Sequence, residues 1–371
     1  GETGLKAPAG GGMIAEEQSF AVLSDGTFYA VWRTVDGHPA FARSRDAGRT
    51  WTPSAYQTYA DGRPIKHPRA ANFIWSAGDG RYLYWFHNHG GRRYEDRNPA
   101  WLCGGVERDT PQGRTIVWSQ PEIVLYDDDV FVRLSYPDLI QEGGRWFLSE
   151  TQKELPRVHE LDATLLAGLW AQFGAHPVVR KGVLCEWSAV SGVTAAKLPR
   201  LPALLVADNH RPDYGTLDRR AGLSVEVWLE TSNPVAPGHL LASNRTSDGR
   251  GFALTTAANG AVEIIFGDGR VEGRWTSDPG VLGAPGRHHL VATIDGGPKI
   301  ITFVADGRLL DGGKERQFGW GRFSPQLRGL DGTPTLALAT EGEMRVRHVR
   351  IYGRALRTSE AVANYRAGLQ D

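Results

Sequence analysis

Apolar and polar residues alternate in short runs along most of this chain, and glycine-centred turns break the runs. Phe20 to Leu23 and Phe28 to Trp32 flank Ser24-Asp25-Gly26, and period-two alternation on either side of a tight turn predicts a β-hairpin. So short a turn returns Glu17, entering the first strand, and Arg33, leaving the second, to one rim of the sheet. The pattern recurs at Asn72 to Trp75, Ser76-Ala77-Gly78-Asp79-Gly80 and Tyr82 to Phe86, and again at Pro137 to Ile140, Gln141-Glu142-Gly143-Gly144 and Trp146 to Leu148. Gly80 follows Gly26 by 54 residues and Gly144 follows Gly80 by 64. Repeats of this pitch, each too small to bury its own faces, predict stacked propeller blades, about two and a half of them.

Beyond Lys153 the texture changes. Asp162-Ala163-Thr164 followed by Leu165, Leu166, Leu169, Trp170 and Phe173 predicts a short amphipathic helix capped by Asp162 and ended at Gly174. Residues 177–202 carry no motif and read as a connector with one or two strands. From Ala203 onward short alternating strands recur: Ser224 to Leu229, His239 to Ser243, Gly251 to Thr255, Val262 to Phe266, His289 to Ile294, Ile300 to Val304, Thr335 to Ala339 and Arg345 to Tyr352. That spacing predicts a sandwich or jelly roll. Thr358 can cap a last helix over Ser359 to Arg366, ahead of Gly368. The expected division is 1–160 for the blades, 161–202 for helix and connector, and 203–371 for the sandwich, in an all-β chain.

Superposing the three copies on their turns sharpens the picture of one rim. The Glu17 place falls near Ala71 and near Ser135-Tyr136, and the Arg33 place falls at His87 and at Glu150. Lys66, His67, Arg69, His87, Asn88, His89, Tyr136, Asp138, Glu150, Gln152 and Lys153 then crowd one face, which is too polar for a core. Composition adds limits rather than chemistry. With 42 basic and 42 acidic side chains the formal net charge is zero, so nothing draws the chain as a whole to nucleic acid or to an anionic membrane. No apolar run is long enough to predict a membrane-spanning helix. Cys103 and Cys185 read as two buried thiols, and no spacing calls for a metal or cofactor. Asp248, Asp268 and Asp278 sit beside glycine or proline and read as turn-formers rather than calcium ligands.

Ser44, Asp46, Gly48, Thr50 and Trp51 spell S-x-D-x-G-x-T-W, the Asp-box. Here the chain resembles the sialidase-like (BNR/Asp-box) β-propeller enzymes, over residues 13 to 153. The resemblance implies a partial six-bladed propeller, with Asp46 as a fold marker on the rim away from substrate. The runs S-V-E-V-W-L-E, H-H-L-V-A-T-I-D-G, F-V-A-D-G-R-L-L and V-R-H-V-R-I-Y-G-R-A-L resemble a laminin G-like, concanavalin A-like jelly roll, which implies an accessory domain that binds glycan or braces the propeller.

Sialidase-like enzymes use a tyrosine nucleophile paired with a glutamate, an arginine clamp for the substrate carboxylate, and an aspartic acid as acid/base. A neutral phenol can approach an anionic sugar that would repel a carboxylate, and arginine forks match a carboxylate in bidentate geometry. Carried over by residue, the resemblance implies Tyr136, in L-S-Y-P-D-L, as nucleophile and Glu17 as its partner. Arg33 and Arg97 are the implied clamp, with Arg108 as runner-up; Arg69, His67, His87, His89, Asp138 and Glu150 join the candidate substrate-binding set. Pro137 departs from the family pattern. The implied partner is a glycan with an acidic terminal sugar, and a secreted or cell-envelope location is expected over the cytoplasm. Gly1 to Gly12 reads as a loop, so further blades, carrying the acid/base and another clamp arginine, are expected before it, from the same polypeptide or a partner chain. The 371 residues alone are then expected to be inactive. Two readings from other classes stand beside this one: a non-catalytic carbohydrate-binding protein, and a polysaccharide lyase on the same scaffold using a tyrosine and a histidine.

Overall fold

The computed structural model of the protein describes residues 8, 14–151, 155–175, 177–189, 195–204, 222–232, 236–340, 342 and 344–369. Gln152, Lys153 and most of the apolar run Ala203 to Ala207 lie outside them. The chain is nearly all-β and divides into two compact units, Gly1–Ala175 with Arg316–Phe318, and His176–Glu315 with Gly319–Asp371.

The first unit holds three antiparallel sheets. The first runs in order through β1 (Ile14–Val22), β2 (Phe28–Thr34), β3 (Ala40–Ser44) and β4 (Ala55–Tyr56). The second contains β5 (Phe73–Gly78), β6 (Arg81–Phe86), β7 (Ala100–Arg108) and β8 (Thr115–Trp118), with β9 (Glu122–Leu125) also paired to β7. The third is β10 (Ser135–Glu142), β11 (Arg145–Thr151) and β12 (Pro156–Glu160). Each turn that joins β1 to β2, β5 to β6 and β10 to β11 places glycine at positive φ, at Gly26, Gly80 and Gly144. Helix α1 (Ala163–Ala171) starts where Asp162 accepts the Thr164 N–H at 2.7 Å. It buries Leu165, Leu166 and Leu169 with Leu83, Trp85, Leu102 and Leu148 of the second and third sheets. Gly104 permits the close approach: a Cβ there would lie 2.8 Å from the Leu169 Cβ.

The second unit is a sandwich. One sheet has seven strands, in order Val183–Ser188, Met344–Tyr352, Gly222–Thr231, Gly286–Asp295, Ile300–Ala305 and Arg308–Leu309, with Gly321–Arg322 also paired to Ile300–Ala305. The facing sheet has six, in order Ala195–Lys197, Thr335–Leu338, Leu240–Ser243, Arg250–Thr256, Val262–Asp268 and Glu272–Thr276. Alternate residues such as Val225, Val227, Leu229, Ile294 and Ile351 meet Phe252, Leu254, Ile264 and Phe266 in one core. Residues 161–202, expected as a helix and a connector with one or two strands, are divided: α1 belongs to the first unit, and the two strands of the connector, Val183–Ser188 and Ala195–Lys197, are edge strands of the two sandwich sheets. The last helix, α2 (Thr358–Ala367), begins at the residue expected as its cap: Arg357 holds the cap position, Glu360 reaches back to accept the Arg357 N–H at 2.9 Å, and Thr358 is the first helical residue.

The outer face of the seven-stranded sheet carries a buried carboxylate. Glu226 accepts from His289 Nε2 at 3.0 Å, Arg350 Nη1 at 3.0 Å, the Tyr352 hydroxyl at 2.8 Å and Asn364 Nδ2 of α2 at 2.9 Å. Burial pushes its pKa up, but the His289 bond and the charge of Arg350 outweigh that and leave it below the ordinary 4.5. A carboxylate whose folded pKa is depressed stabilises the fold above its unfolded pKa, and that contribution is lost as pH falls through the folded value. Glu226→Leu, which leaves His289 Nε2 without its acceptor while Arg350 keeps Glu186 and Tyr352 keeps the Val179 carbonyl, should destabilise the second unit by about 1–3 kcal/mol at neutral pH. Denaturant titration at pH 7 and at pH 4 checks this: the parent should lose stability between them, the variant less.

Candidate functional site

Strand register places the two rims of the first sheet. Val22 pairs Phe28 and Phe28 pairs Ser44 at one end, while Gln18 pairs Trp32 at the other. From Phe28 to Arg33 the strand advances roughly 17 Å. The Asp-box therefore closes the end opposite Glu17 and Arg33. There Asp46 accepts from the Thr50 hydroxyl at 2.6 Å, the Thr50 N–H at 2.8 Å and the Ser44 hydroxyl at 2.8 Å, bonds that pull its pKa down to about 2. Trp51 Nε1 donates to Gly48 O at 3.1 Å. These bonds all close within the turn itself. Arg108 ends β7 at this same rim, beside Glu107, whose carboxylate holds Ser24 of the β1–β2 turn, and it is no part of the other one.

At the opposite rim two bulges do the positioning. Pairing of β1 with β2 breaks between Ile14 and Gln18, so three residues ending in Glu17 lie across from Arg33. Pairing of β10 with β11 breaks between Ser135 and Asp138, so Tyr136 and Pro137 lie across from Glu150. Glu17 has φ 67° and Tyr136 φ 48°, left-handed conformations that cost about 1–3 kcal/mol each in a residue with a side chain. The result is that the Tyr136 hydroxyl donates to Glu17 Oε1 at 3.1 Å, and Arg33 Nη1 meets Glu17 Oε2 at 2.5 Å. Arg33 is buried behind the pair, and Tyr136 remains 39 % exposed.

Arg97 completes the group. Its Nε donates to Tyr94 O at 2.8 Å and its Nη1 to the Ser135 hydroxyl at 2.8 Å, which fixes the guanidinium next to the residue preceding Tyr136. Burial lowers its pKa; Tyr136 and Glu17 act against that, and Arg133 and Arg33 act with it. Arg133 is thus a third guanidinium at this rim, and neither it nor Ser135 stands out in the sequence except by lying within three residues of Tyr136.

The three histidines have other roles. His67 Nε2 donates to Ala70 O at 2.6 Å while its Nδ1 accepts the His87 N–H at 3.1 Å, which fixes the neutral tautomer; burial drives its pKa down to about 3. His87 stacks on His67 with centroids 5.9 Å apart and is held neutral by burial, with the nearby His67 and Arg97 adding to the effect. His89 Nε2 meets Asp96 O at 3.0 Å and its Nδ1 accepts the Gly91 N–H at 3.2 Å, with a pKa lowered by burial to about 4. His89 braces the backbone next to Arg97 through Asp96, His67 braces Ala70 and His87, and all three are buried. Glu150 is buried in its own cluster with Arg157 and His159, and Arg157 also meets Asp127 at 2.7 Å. Asp138 is exposed and accepts the Leu139 N–H, and Arg69 is exposed. Of the expected residues, Glu17, Arg33, Arg97 and Tyr136 come together. No group of three or more His, Cys, Asp or Glu side chains suited to a metal occurs among the described residues.

No family model matches the chain, and no curated protein matches it. Among solved structures it is similar to Trypanosoma rangeli sialidase in complex with 2,3-difluorosialic acid, at 12 % identity over 93 % of this chain and 61 % of that one, with a TM-score of 0.30. It is also similar to Ruminococcus gnavus IT-sialidase CBM40 bound to alpha2,6 sialyllactose, at 14 % identity over 50 % of this chain and 100 % of that one, TM-score 0.30. A third likeness is the botulinum neurotoxin serotype D binding domain, at 14 % identity over 47 % of this chain and 40 % of that one, TM-score 0.32. The chain thus spans about three-fifths of the sialidase's length, and likenesses with TM-scores this low carry no weight in reading the site.

The histidine geometry makes a direct prediction. In a proton-detected titration of the imidazole nitrogens, His67, His87 and His89 should stay neutral from pH 8 to pH 5, whereas His288, raised by its bond to Asp306, should protonate above its ordinary 6.5. Protonation of His67 near pH 6.5 would show that it faces solvent.

Proposed function

We propose that the first unit carries the nucleophile side of a sialidase-like, exo-acting glycoside hydrolase site for a glycan ending in an acidic sugar. The observation that supports this most is the hydrogen bond from Tyr136 to Glu17, made by two residues that each adopt a strained backbone conformation to reach the other. In this reading the Tyr136 oxygen attacks the anomeric carbon as its proton passes to the Glu17 carboxylate, and the sugar–aglycone bond breaks with its electron pair leaving on the aglycone oxygen. Water then attacks the tyrosyl-linked sugar, passing a proton to the conjugate base of the acid that protonated the aglycone, as the bond to Tyr136 breaks and the phenolate recovers its proton from Glu17. Arg97 holds the substrate carboxylate, which it can reach through its Nη2, without a hydrogen-bond partner among the described residues, and the Arg33 charge behind Glu17 adds to the attraction for that anion.

The acid that protonates the aglycone then belongs to further blades, from the same polypeptide or a partner chain. Phe20 and Val22 on β1, and Ile140 and Val158 on β10 and β12, are exposed apolar side chains of the kind such blades would cover. The lyase alternative needs a histidine beside the tyrosine; His67 and His89 have both ring nitrogens engaged with backbone or amide groups, and His87, whose Nδ1 has no hydrogen-bond partner, is buried against His67 and held neutral. The hydrolase reading is therefore the better supported. We further propose that the sandwich is a carbohydrate-binding or bracing module.

In the complete protein, Tyr136→Phe should lower turnover of a fluorogenic sialoside by at least about 10³-fold while leaving binding of the free acidic sugar nearly intact. Arg97→Ala should weaken that binding by about 1.5–3 kcal/mol, the range for a hydrogen bond to a charged group. Stopped-assay kinetics and calorimetry separate the two effects. Unchanged turnover in Tyr136→Phe removes the tyrosine from the chemistry, and binding without turnover in the parent leaves the carbohydrate-binding reading standing.

A further inference from the structure

Tyr136 sits on a bulge at positive φ, and a strained turn of this kind persists where its surroundings fix it from more than one side. On one side Arg97 Nη1 donates to the hydroxyl of Ser135, the residue before Tyr136. On the other side is Glu150, which lies across the ladder from Tyr136 and Pro137. Its side chain is fully buried, and Arg157, directly opposite it on β12, reaches Oε1 through Nε at 2.5 Å. His159 Nε2 approaches the same oxygen at 3.4 Å, and Oε2 has no hydrogen-bond partner, so the permanent charge that neutralises this carboxylate is that of Arg157.

The rest of the Arg157 fork leads back to Arg97. Its Nη1 meets Asp127 Oδ2 at 2.7 Å. Asn98 holds the backbone of Asp127 in turn: its Nδ2 donates to the Asp127 carbonyl at 2.8 Å, and its Oδ1 accepts the Asp127 N–H at 3.3 Å. Asn98 follows Arg97 in the chain. Two routes therefore join the tyrosine to the guanidinium, a short one through Ser135 and a longer one from Glu150 through Arg157 and Asp127 to Asn98. Burial acts to lower the Arg157 pKa, yet the bonds to Asp127 and Glu150 outweigh it and leave it above its ordinary value, so the link stays charged. We propose that Arg157 is a positioning residue, which holds the Tyr136 bulge in a fixed place relative to Arg97 by bridging Glu150 and Asp127. The bridge needs an arginine, because two nitrogens of one planar group serve two carboxylates, and a lysine ammonium is a single point charge. The consequence for catalysis rests on the hydrolase reading; the placement of Tyr136 does not.

The test uses the 371-residue chain with a fluorotyrosine incorporated at position 136 and reads its fluorine NMR resonance. Glu17→Ala defines the signal of a phenol that has lost its acceptor. Arg157→Met should move the Tyr136 resonance at least halfway to that reference, Asp127→Asn should move it in the same direction, and Arg157→Lys should fail to restore the parent signal. Arg145→Met, which removes the exposed pair of Arg145 with Glu160 on the same two strands, should leave it unchanged. Circular dichroism shows which variants are folded, and Asp127→Asn, which keeps the backbone bonds to Asn98, decides the matter if Arg157→Met is not. A parent signal in Asp127→Asn and in the folded Arg157 variants overturns the proposal. So does an equal shift in Arg145→Met, because any loosening of the sheet would then suffice. In the complete protein, kcat for a fluorogenic sialoside should fall about 10²-fold in Arg157→Lys, the scale of a misplacement of about 1 Å, with KM changed far less. Absence of turnover in the complete parent removes the hydrolase reading, and the fluorine signal still decides what places Tyr136.

Discussion

One carboxylate has to satisfy two groups at once, and the first unit is arranged around that demand. Glu17 takes the Arg33 guanidinium on one oxygen and the Tyr136 hydroxyl on the other, so it joins a strand pair of the first sheet to the first strand of the third. Regular strands would not deliver it. In an unbroken ladder side chains alternate between faces, and a residue at a strand end points wherever the pleat sends it. The two bulges replace that direction with another, at a backbone cost that packing elsewhere in the sheets has to offset.

The opposite rim shows where compensation lies. Tyr82 donates to Glu107 Oε1 at 2.7 Å, the Ser24 N–H reaches the same oxygen at 2.7 Å, and Arg114 meets Oε2 at 3.4 Å and Asp109 at 2.9 Å. Arg43 Nη1 donates to the Arg114 carbonyl at 2.9 Å. Turns of the first two sheets are thereby locked to each other by saturated hydrogen bonding, and the Asp-box is locked within itself. Hydrogen bonding that ties turn to turn is concentrated at one set of strand ends and the two bulges lie at the other, a division that leaves the bulged end open without loosening the sheets.

Much of this architecture could be read from the chain, because period two and glycine turns are local properties. The Ser24-Asp25-Gly26 hairpin, the pitch of the repeats and the octet from Ser44 to Trp51 all depend on neighbours in sequence. The convergence of Glu17, Arg33 and Tyr136 followed from strand counting, since a turn of known length fixes which residues share a rim. The failures are just as physical. His67, His87 and His89 fall at rim positions, yet strand counting gives a height along the strand and not an exposure; burial and backbone acceptors decided their role. Glu150 falls at the place equivalent to Arg33, but the long side chain of Arg157, directly across the ladder from it, claims the carboxylate. Glu272–Thr276 was illegible as a strand because Glu, Gly and Arg precede its one large apolar residue, Trp275, which packs against the sandwich core. Arg133 was missed because its role depends on a fold-back across Tyr94 that no period encodes.

Composition of a site is a poor guide to its role, and the protein contains its own control. Among the described residues glutamate, arginine and tyrosine meet three times: Glu17, Arg33 and Tyr136; Glu107, Arg114 and Tyr82; and Glu226, Arg350 and Tyr352. Tyr82 and Tyr352 are buried, and burial with a carboxylate neighbour raises both phenols above their ordinary pKa of 10. A phenol in that setting holds its proton, and water and ligand cannot reach it; such trios are anchors. Glu226 is saturated by four donors, and Glu107 by turn N–H and hydroxyl groups, so neither has capacity left for a reacting proton. Of these, the first trio is the one whose tyrosine stays exposed and sits at positive φ, with a second guanidinium fixed beside it. Chemistry requires that a proton have somewhere to go and that a substrate be able to arrive. Of three trios with the same side chains, the one on the strained rim meets both conditions, and that is the physical ground for placing function there.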